Sequence, residues 1–237
     1  MPTSAEIMKQ LQKAGSEQTR KTYARHGASM GRMFGVKVAD LKTIAQKIQG
    51  EQQLAMELFA TGNLDAMYLA GIVADGSKMS KKELESWAKG SDWHMVCEYS
   101  VPGVASENPN CFELGLKWIT ANREMLAATG WATLSAWVSV TEDSELDLNE
   151  IENLLGKIEK EIHTEPDRVR YTMNGFVIAV GSYVKPLLKQ AKATAKKIGE
   201  VKVDMGDTAC KVPLATWYIT KVENMDRVGK KRKTAKC

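Results

Sequence analysis

The segment SDWHMVCE, residues 91–98, holds the side chains best suited to chemistry. His94 and Cys97 are three residues apart, so on a helix an imidazole and a thiol would share one face and could begin a zinc site. Such a site needs two further ligands, and none lies near in the sequence. If Cys97 were a nucleophile assisted by His94, a third group would be needed to orient the imidazole, and the sequence does not indicate one. Core packing is the simpler interpretation, and we expect no metal.

Absent motifs and composition narrow the choice of functions. The sequence contains no GxxxxGK[ST] phosphate loop, GxGxxG, GxSxG or HExxH motif, which argues against nucleotide-dependent and zinc-protease chemistry. No run of about 18 apolar residues occurs, and charges interrupt the first fifteen positions, so neither a membrane span nor a signal peptide is predicted. We therefore expect a cytoplasmic protein with no membrane partner, whose four scattered cysteines are reduced.

Positive charge is concentrated at both ends of the chain. Residues 1–50 carry nine Lys and Arg against three Asp and Glu, and residues 183–237 carry fourteen against five, although the whole chain has a net charge of only +4. On a single helix such a run is usually a solvated face. On matching faces of several stacked helices, the same residues would form one surface that could follow a phosphate backbone and release its counterions.

Helical periodicity supplies the elements that would position these groups. Apolar residues recur at three- and four-residue spacing, as in VADLKTIAQKI, and strand alternation is nearly absent. The pattern predicts about thirteen short helices between residues 4 and 224, each too small to bury its apolar face alone. This favours an all-α fold, a HEAT-like or armadillo-like α-α superhelix of antiparallel helix pairs. Because no sequence repeat is visible, a globin-like or irregular bundle is the alternative.

Two segments depart from the helical pattern. Residues 199–213 contain several turn residues and a brief apolar alternation, which predicts a loop or short hairpin. Residues 225–237 form a basic C-terminal tail, expected to be mobile, outside a single helical domain of residues 1–224. The tail could hold phosphates without reading bases through Lys230, Lys231, Arg232 and Lys233.

Three segments carry a resemblance to a known family. MFGVKVADLKTIAQKI lies near the start of the chain, LFATGNLDAMYLAGIVAD follows it, and the Trp-centred SDWHMVCE comes next. Together they resemble the AlkD-type DNA alkylation repair proteins over essentially the whole chain. The resemblance implies a HEAT-like crescent that cups duplex DNA and, in catalytic members, excision of positively charged N-alkylated purines by cleavage of the glycosidic bond. It also implies that no cofactor is used.

The resemblance assigns site positions, and the sequence departs from it at both of the charged ones. In catalytic members an Asp and two Trp residues face the sugar and stabilise its developing positive charge. Trp93 matches the first Trp, Phe176 lies where the second is expected, and Tyr23 lies near the place of an N-terminal Tyr. Cys97 occupies the Asp position, and an Arg expected at 126–132 is missing. A neutral thiol stabilises an oxocarbenium-like sugar poorly, so catalysis is in doubt.

The sequence therefore predicts a DNA-binding protein of the alkylation-repair type, a monomer acting on duplex DNA that is alkylated or branched. The catalytic residues stay open; the candidates are Trp93, Asp92 and Glu98, of which the two acidic residues could substitute for the missing Asp. The alternatives are a non-enzymatic binder of damaged or branched DNA and a HEAT-like protein-interaction scaffold. The predicted contacts with the sugar or lesion are the aromatic residues Tyr23, Trp93 and Phe176. The predicted contacts with phosphates are the basic residues Arg20, Lys21, Arg25, Arg32, Arg168 and Arg170.

Overall fold

The computed structural model describes residues 2–236, and within that range it contains thirteen α-helices and no β-strand. In chain order they are α1 (Ser4–Ala14), α2 (Glu17–Arg25), α3 (Val38–Lys47), α4 (Gln52–Ala60), α5 (Leu64–Val73), α6 (Lys81–Gly90), α7 (Val101–Ala105), α8 (Cys111–Ile119), α9 (Glu124–Val140), α10 (Leu148–Glu161), α11 (Asp167–Tyr183), α12 (Leu188–Ile198) and α13 (Ala215–Asn224). A π-helical turn, Val96–Ser100, leads directly into α7. The predicted all-α class is confirmed.

Capping residues that can be recognised in the sequence set several helix boundaries. α1 and α6 each begin with a capping box, in which Thr3 pairs with Glu6 and Ser80 pairs with Glu83. Gly62 follows α4 with a φ of 69°, in the left-handed region that favours glycine. These local signals explain why the predicted helices lie close to the observed ones.

The helices form two layers. α5, α7, α9, α11 and α13 lie side by side as an inner layer; α4, α6, α8 and α12 each pack on a member of it, and α10 packs on α12. Close approach of α8 and α9 requires glycine, because a Cβ on Gly130 would lie 2.5 Å from the backbone nitrogen of Ile119. This is the stacking of short helix pairs that the apolar periodicity predicted.

The C-terminal tail lies against the inner layer, which differs from the expected mobile segment. Its anchors are main-chain amides and two lysine ammonium groups that reach carbonyl oxygens at helix C-termini. These contacts are Gly229 N to Ser182 O (2.9 Å), Arg232 N to Ser139 O (2.8 Å), Lys231 Nζ to Val138 O (3.0 Å) and Lys236 Nζ to Ala74 O. The last carbonyls of a helix have no partner within the helix, so they are ready acceptors for this segment.

The other irregular segment, residues 199–213, is a loop, so of the two predicted forms the hairpin is not observed. It lies against the start of α11, where the Asp204 amide donates to an Asp167 carboxylate oxygen at 3.0 Å. Among residues 2–236, no helix is both long enough and apolar enough to cross a membrane.

Candidate nucleic-acid interface

A cavity of about 750 Å³ opens where the end of α2 meets the start of α11 and the 199–213 loop. Its volume is in the range of about 300–1,000 Å³ that is usual for ligand sites. We call it the α2–α11 cavity. Its aromatic and basic lining residues are Tyr23, Arg25, His26, Trp93, His94, Tyr99, Arg168, Tyr171 and Lys211.

Two predicted contact residues, Tyr23 and Trp93, meet in the wall of this cavity. Their ring centroids are 5.3 Å apart. The Tyr23 hydroxyl donates to the Val36 carbonyl at 2.9 Å, and the Trp93 indole nitrogen donates to the His26 carbonyl at 3.1 Å. Both polar atoms are thus used within the protein, and Trp93 is only 4% exposed. Trp93 therefore presents little ring surface to solvent, whereas Tyr23 is partly exposed.

A buried carboxylate holds the segment that Tyr23 contacts. Asp65, near the start of α5, accepts hydrogen bonds from the backbone amides of Phe34, Gly35 and Val36 at 2.6, 3.0 and 3.0 Å. Burial raises the pKa of Asp65, while the three amides oppose that shift. This one side chain explains why two of the sequence segments that resemble the repair family occur together: the acidic residue of the second fixes the FGV turn of the first.

Arg168, which lines the α2–α11 cavity, forms an ion pair with the buried Glu98. The guanidinium Nε and Nη2 donate to the two carboxylate oxygens at 2.7 and 2.6 Å, and the Glu98 side chain is 3% exposed. Burial raises the pKa of Glu98 to about 7, and Arg168 opposes that shift. The Arg168 guanidinium also lies 4.4 Å from the centre of the Tyr171 ring. Both charges are engaged within the protein, which argues against the predicted roles of Glu98 as a catalytic group and Arg168 as a phosphate contact.

Cys97 and His94 do not form a reactive pair. Cys97 lies in the π-helical turn with no exposed surface, and burial raises the pKa of its thiol to about 12. Burial, together with the charges of Arg168 and His26, lowers the pKa of His94 to about 4. Near neutral pH the site therefore holds a protonated thiol and an uncharged imidazole. Within residues 2–236, no group of three His, Cys, Asp or Glu side chains is placed to hold a metal ion.

Phe176 lies in the core and cannot contact DNA as predicted. It has no exposed surface, and its ring packs edge-on against Trp131 with centroids 5.5 Å apart. The resemblance implied that the aromatic side chain at this position faces the sugar, but α11 turns it toward Trp131 of α9, so it serves packing.

Several predicted phosphate contacts are also paired within the protein. Arg32 contacts Asp92 and donates to the Gly62 carbonyl at 3.0 Å, outside the α2–α11 cavity. Arg20 pairs with Glu17 at 3.0 Å. In each of these pairs the guanidinium already has an acceptor. Asp92 does not line the cavity that Trp93 lines. The remaining pair of this kind joins Arg170 and Asp167.

The exposed cations form a smaller set. Lys21 and Arg25 are exposed on α2 and form no ion pair with any residue of 2–236, and Lys211 is exposed on the loop across the cavity. In the tail, Lys231 is 8% exposed and is held by Asp143 at 2.9 Å. The tail cations that remain exposed are Lys230, Arg232 and Lys233.

Sequence reasoning missed His26, Tyr99 and Lys211 as cavity residues. His26 enters because its carbonyl receives Trp93, and Lys211 because the loop folds back toward α2. One part of the cavity lining could have been predicted from the sequence. Arg168 and Tyr171 are three residues apart in one helix, so their side chains share a face. The loop and turn positions carried no periodic signal.

These two layers of helices define a HEAT-like repeat protein, and comparison with known proteins confirms that class. A solved structure described as "a new family of proteins related to the HEAT-like repeat DNA glycosylases with affinity for branched DNA structures" matches with a TM-score of 0.89 and 33% identity, covering 98% of each chain. The HEAT-like fold predicted from the sequence is thereby confirmed.

The family follows from the sequence comparisons. The model of the DNA alkylation repair enzyme family matches residues 7–198, so the chain belongs to that family, as the resemblance predicted. An uncharacterised protein of Listeria monocytogenes and another of Listeria innocua are each 30% identical to it over 229 residues, which covers 94% of this chain and 99% of theirs.

Proposed function

We propose that the protein binds branched DNA on its inner layer and does not excise alkylated bases. The observation that carries this proposal is the likeness, at a TM-score of 0.89 and 33% identity over 98% of the chain, to a protein related to the HEAT-like DNA glycosylases with affinity for branched DNA structures. The protein would act on cytoplasmic DNA as a monomer without a cofactor.

The charges that would meet DNA phosphates are the exposed ones. Arg25 at the end of α2 and Lys211 on the 199–213 loop both line the α2–α11 cavity, and Lys21 is exposed one helical turn before Arg25 on α2. Each cation that neutralises a phosphate releases counterions, so binding should weaken steeply as salt rises. Such contacts position a nucleic acid without reading its sequence, as recognition of a branched shape requires.

The absence of base excision is proposed from the chemistry of the residues that stand at and beside the position where the resemblance places the catalytic Asp. Glycosidic cleavage builds positive charge on the sugar, and a nearby carboxylate would stabilise it. At the position where the catalytic relatives have Asp, Cys97 is a buried thiol whose pKa burial raises to about 12. The neighbouring Glu98 is buried and held by Arg168, and Asp92 contacts Arg32 outside the cavity.

Binding to matched DNA substrates tests the first part of the proposal. A four-way junction and a linear duplex of the same arm sequence are titrated with the protein at 50 and 200 mM salt, with fluorescence anisotropy as the readout. We expect tighter binding of the junction and a steep salt dependence. The double variant Arg25→Ala/Lys211→Ala should reduce the salt slope by about 2, one for each lost phosphate contact. Equal affinity for junction and duplex would contradict the proposal.

A matched control removes the same number of charges from the outer helices. Lys82 on α6 and Lys160 on α10 are both exposed and line none of the inner cavities. Lys82→Ala/Lys160→Ala should leave the salt slope at the wild-type value. A loss equal to that of the cavity variant would show that net charge, and not the inner layer, governs binding.

Alkylpurine excision is the second candidate, favoured by the match to the DNA alkylation repair enzyme family. Duplex DNA containing N7-methylguanine is incubated with the protein, and released base is measured. We expect no release above the protein-free rate. Release that disappears in a Trp93→Ala variant would establish the enzyme and overturn the non-catalytic proposal.

A further inference from the structure

A second cavity, of about 460 Å³, adjoins the first on the inner layer. Tyr99 and Tyr171 line both cavities, and a hydrogen bond joins their side chains, so together they form the ridge between them. The other large aromatic residues of this second cavity are Tyr183 at the end of α11 and Tyr218 on α13. We call it the tyrosine groove.

Small side chains form the floor of the tyrosine groove. Ala132, Ser135 and Ala136 of α9 line it together with Gly175 of α11. A Cβ added at Gly175 would meet no atom within 4 Å, so the space above this glycine is open. A cavity of about 460 Å³ lined by four tyrosines and by small side chains has the volume and the aromatic surface that a flat ring requires.

The C-terminal tail closes one side of the groove. Arg232 and Ala235 line it, and the tail is fixed there by the Arg232 amide, which donates to the Ser139 carbonyl at 2.8 Å. The tail also lies directly on α7, because a Cβ on Gly103 would be 3.2 Å from the Cα of Lys236. The groove is therefore built partly from the segment that the sequence predicted as mobile.

The charges of the groove select among ligands. Among the described residues that line the groove, the acidic one is Glu98. The Glu98 carboxylate is already bound by Arg168. Arg232 is the cation in that lining, and it is exposed. Aromatic walls with one available guanidinium suit a flat ring that carries one negative charge, which is the chemistry of a nucleotide: its base stacks on aromatic rings and its phosphate pairs with Arg.

We propose that the tyrosine groove binds an unpaired nucleotide at the branch point of DNA. The inference rests on the proposed function, because the groove continues across the Tyr99–Tyr171 ridge from the cavity whose rim carries Arg25 and Lys211. The faces of paired bases are covered by their neighbours in the stack, whereas a nucleotide left unpaired where arms diverge can turn its face toward a tyrosine. Recognition of this nucleotide would add to the contacts made with the phosphates of the arms.

A junction with a fluorescent unpaired base tests the groove directly. The probe is a three-way DNA junction with two unpaired nucleotides at the branch point, one of them 2-aminopurine, compared with the same junction fully paired. We expect the wild-type protein to bind the unpaired form more tightly and to quench the 2-aminopurine by stacking. Tyr218→Ala should lower affinity for this probe by about tenfold, the effect of losing one stacked base, and abolish most of the quenching.

Substitutions on and near α13 provide the controls. Met225, just after the end of α13, is 54% exposed and does not line the groove, so Met225→Ala should change neither readout. Tyr218→Phe keeps the ring and should bind and quench like the wild type. Arg232→Gln, which retains the main-chain anchor of the tail, should lower affinity for the unpaired probe even if Tyr218→Ala folds poorly.

The results separate this inference from the function on which it rests. If the fully paired and unpaired junctions bind equally well, both better than linear duplex, branched-DNA binding stands and the groove inference is overturned. Quenching that survives both Tyr218→Ala and Arg232→Gln overturns it as well. If no junction binds better than linear duplex, both proposals are wrong.

Discussion

Two neighbouring regions of the inner layer use positive charge in opposite ways. Arg168, which lines the α2–α11 cavity, is 18% exposed and bound by Glu98 through two hydrogen bonds. At the rim, Arg25 and Lys211 are exposed. The first arrangement holds the Arg168 guanidinium over the Tyr171 ring, and the second leaves charge available to a phosphate. Sequence counts of Lys and Arg do not distinguish these two uses.

Removing the buried cation should give the largest effect. Arg168→Ala leaves the Glu98 carboxylate buried and unpaired, and breaking a buried pair in this way typically costs about 3–5 kcal/mol. Because Arg168 is 18% exposed, we expect about 3 kcal/mol off the free energy of unfolding, measured by urea denaturation at pH 8. Arg25→Ala, the same substitution at the rim, should change it by no more than about 0.5 kcal/mol. Equal losses of unfolding free energy in the two variants would contradict the different roles assigned to Arg168 and Arg25.

The pH dependence of stability should separate Glu98 from its neighbour His94. The raised pKa of Glu98, about 7 against an ordinary 4.5, means that the folded protein retains a proton that the unfolded chain loses. Its contribution to stability is full below pH 4.5 and is lost as pH rises to about 7. The lowered pKa of His94, about 4 against 6.5, acts oppositely: its contribution is full above pH 6.5 and is lost as pH falls to about 4.

Substitution of either residue should reveal the pH dependence of stability that the other contributes. Relative to the wild type, Glu98→Gln should make stability rise with pH between 4.5 and 7, and His94→Asn should make it fall between 4 and 6.5. Each difference should reach up to about 3 kcal/mol, from roughly 1.4 kcal/mol per pKa unit. Unfolding free energies measured from pH 4 to pH 8 provide the check. Curves parallel to the wild type would show that these two groups do not titrate as their burial requires.

The adjacent lysines of the tail make the same comparison on a smaller scale. Lys231 is 8% exposed and held by Val138 and Asp143, whereas Lys230 is exposed. Lys231→Ala should cost about 1.5–3 kcal/mol of local stability, the range for hydrogen bonds to charged groups, measured as lost hydrogen-exchange protection of the Arg232 amide. Lys230→Ala should preserve that protection but lower the salt slope of DNA binding by about 1. The reverse pattern would mean that the tail is not held by Lys231.

Local patterns in the sequence were sufficient to predict the helices. Capping boxes such as that of Thr3 and Glu6 and the three- and four-residue apolar spacing are contained within a few positions, so α1 through α13 could be placed without knowing their neighbours. Stacking into layers followed, because each short helix has an apolar face that it cannot bury alone.

The site could not be predicted so fully, because its partners are distant in sequence. Glu98 and Arg168 are 70 positions apart, and neither residue type identifies the other as its partner. The orientation of Phe176 depended on where α9 lies, and the docking of the tail on carbonyls at the ends of inner helices. The resemblance named Tyr23 and Trp93 as contact residues, and both line the α2–α11 cavity, but it gave no measure of how little of Trp93 is exposed.

The π-helical turn before α7 limits how far aligned positions can be compared. In this turn the Val101 amide donates to the carbonyl of Val96, five residues back, so the chain holds one more residue per turn than the preceding helix would imply. Positions beyond it point in directions that a residue count does not give. Tyr99 lies inside this turn and lines both cavities, so the extra residue helps to set the direction of one of the two side chains that separate them. A local change in helix geometry thus contributes to the division of one surface into two compartments.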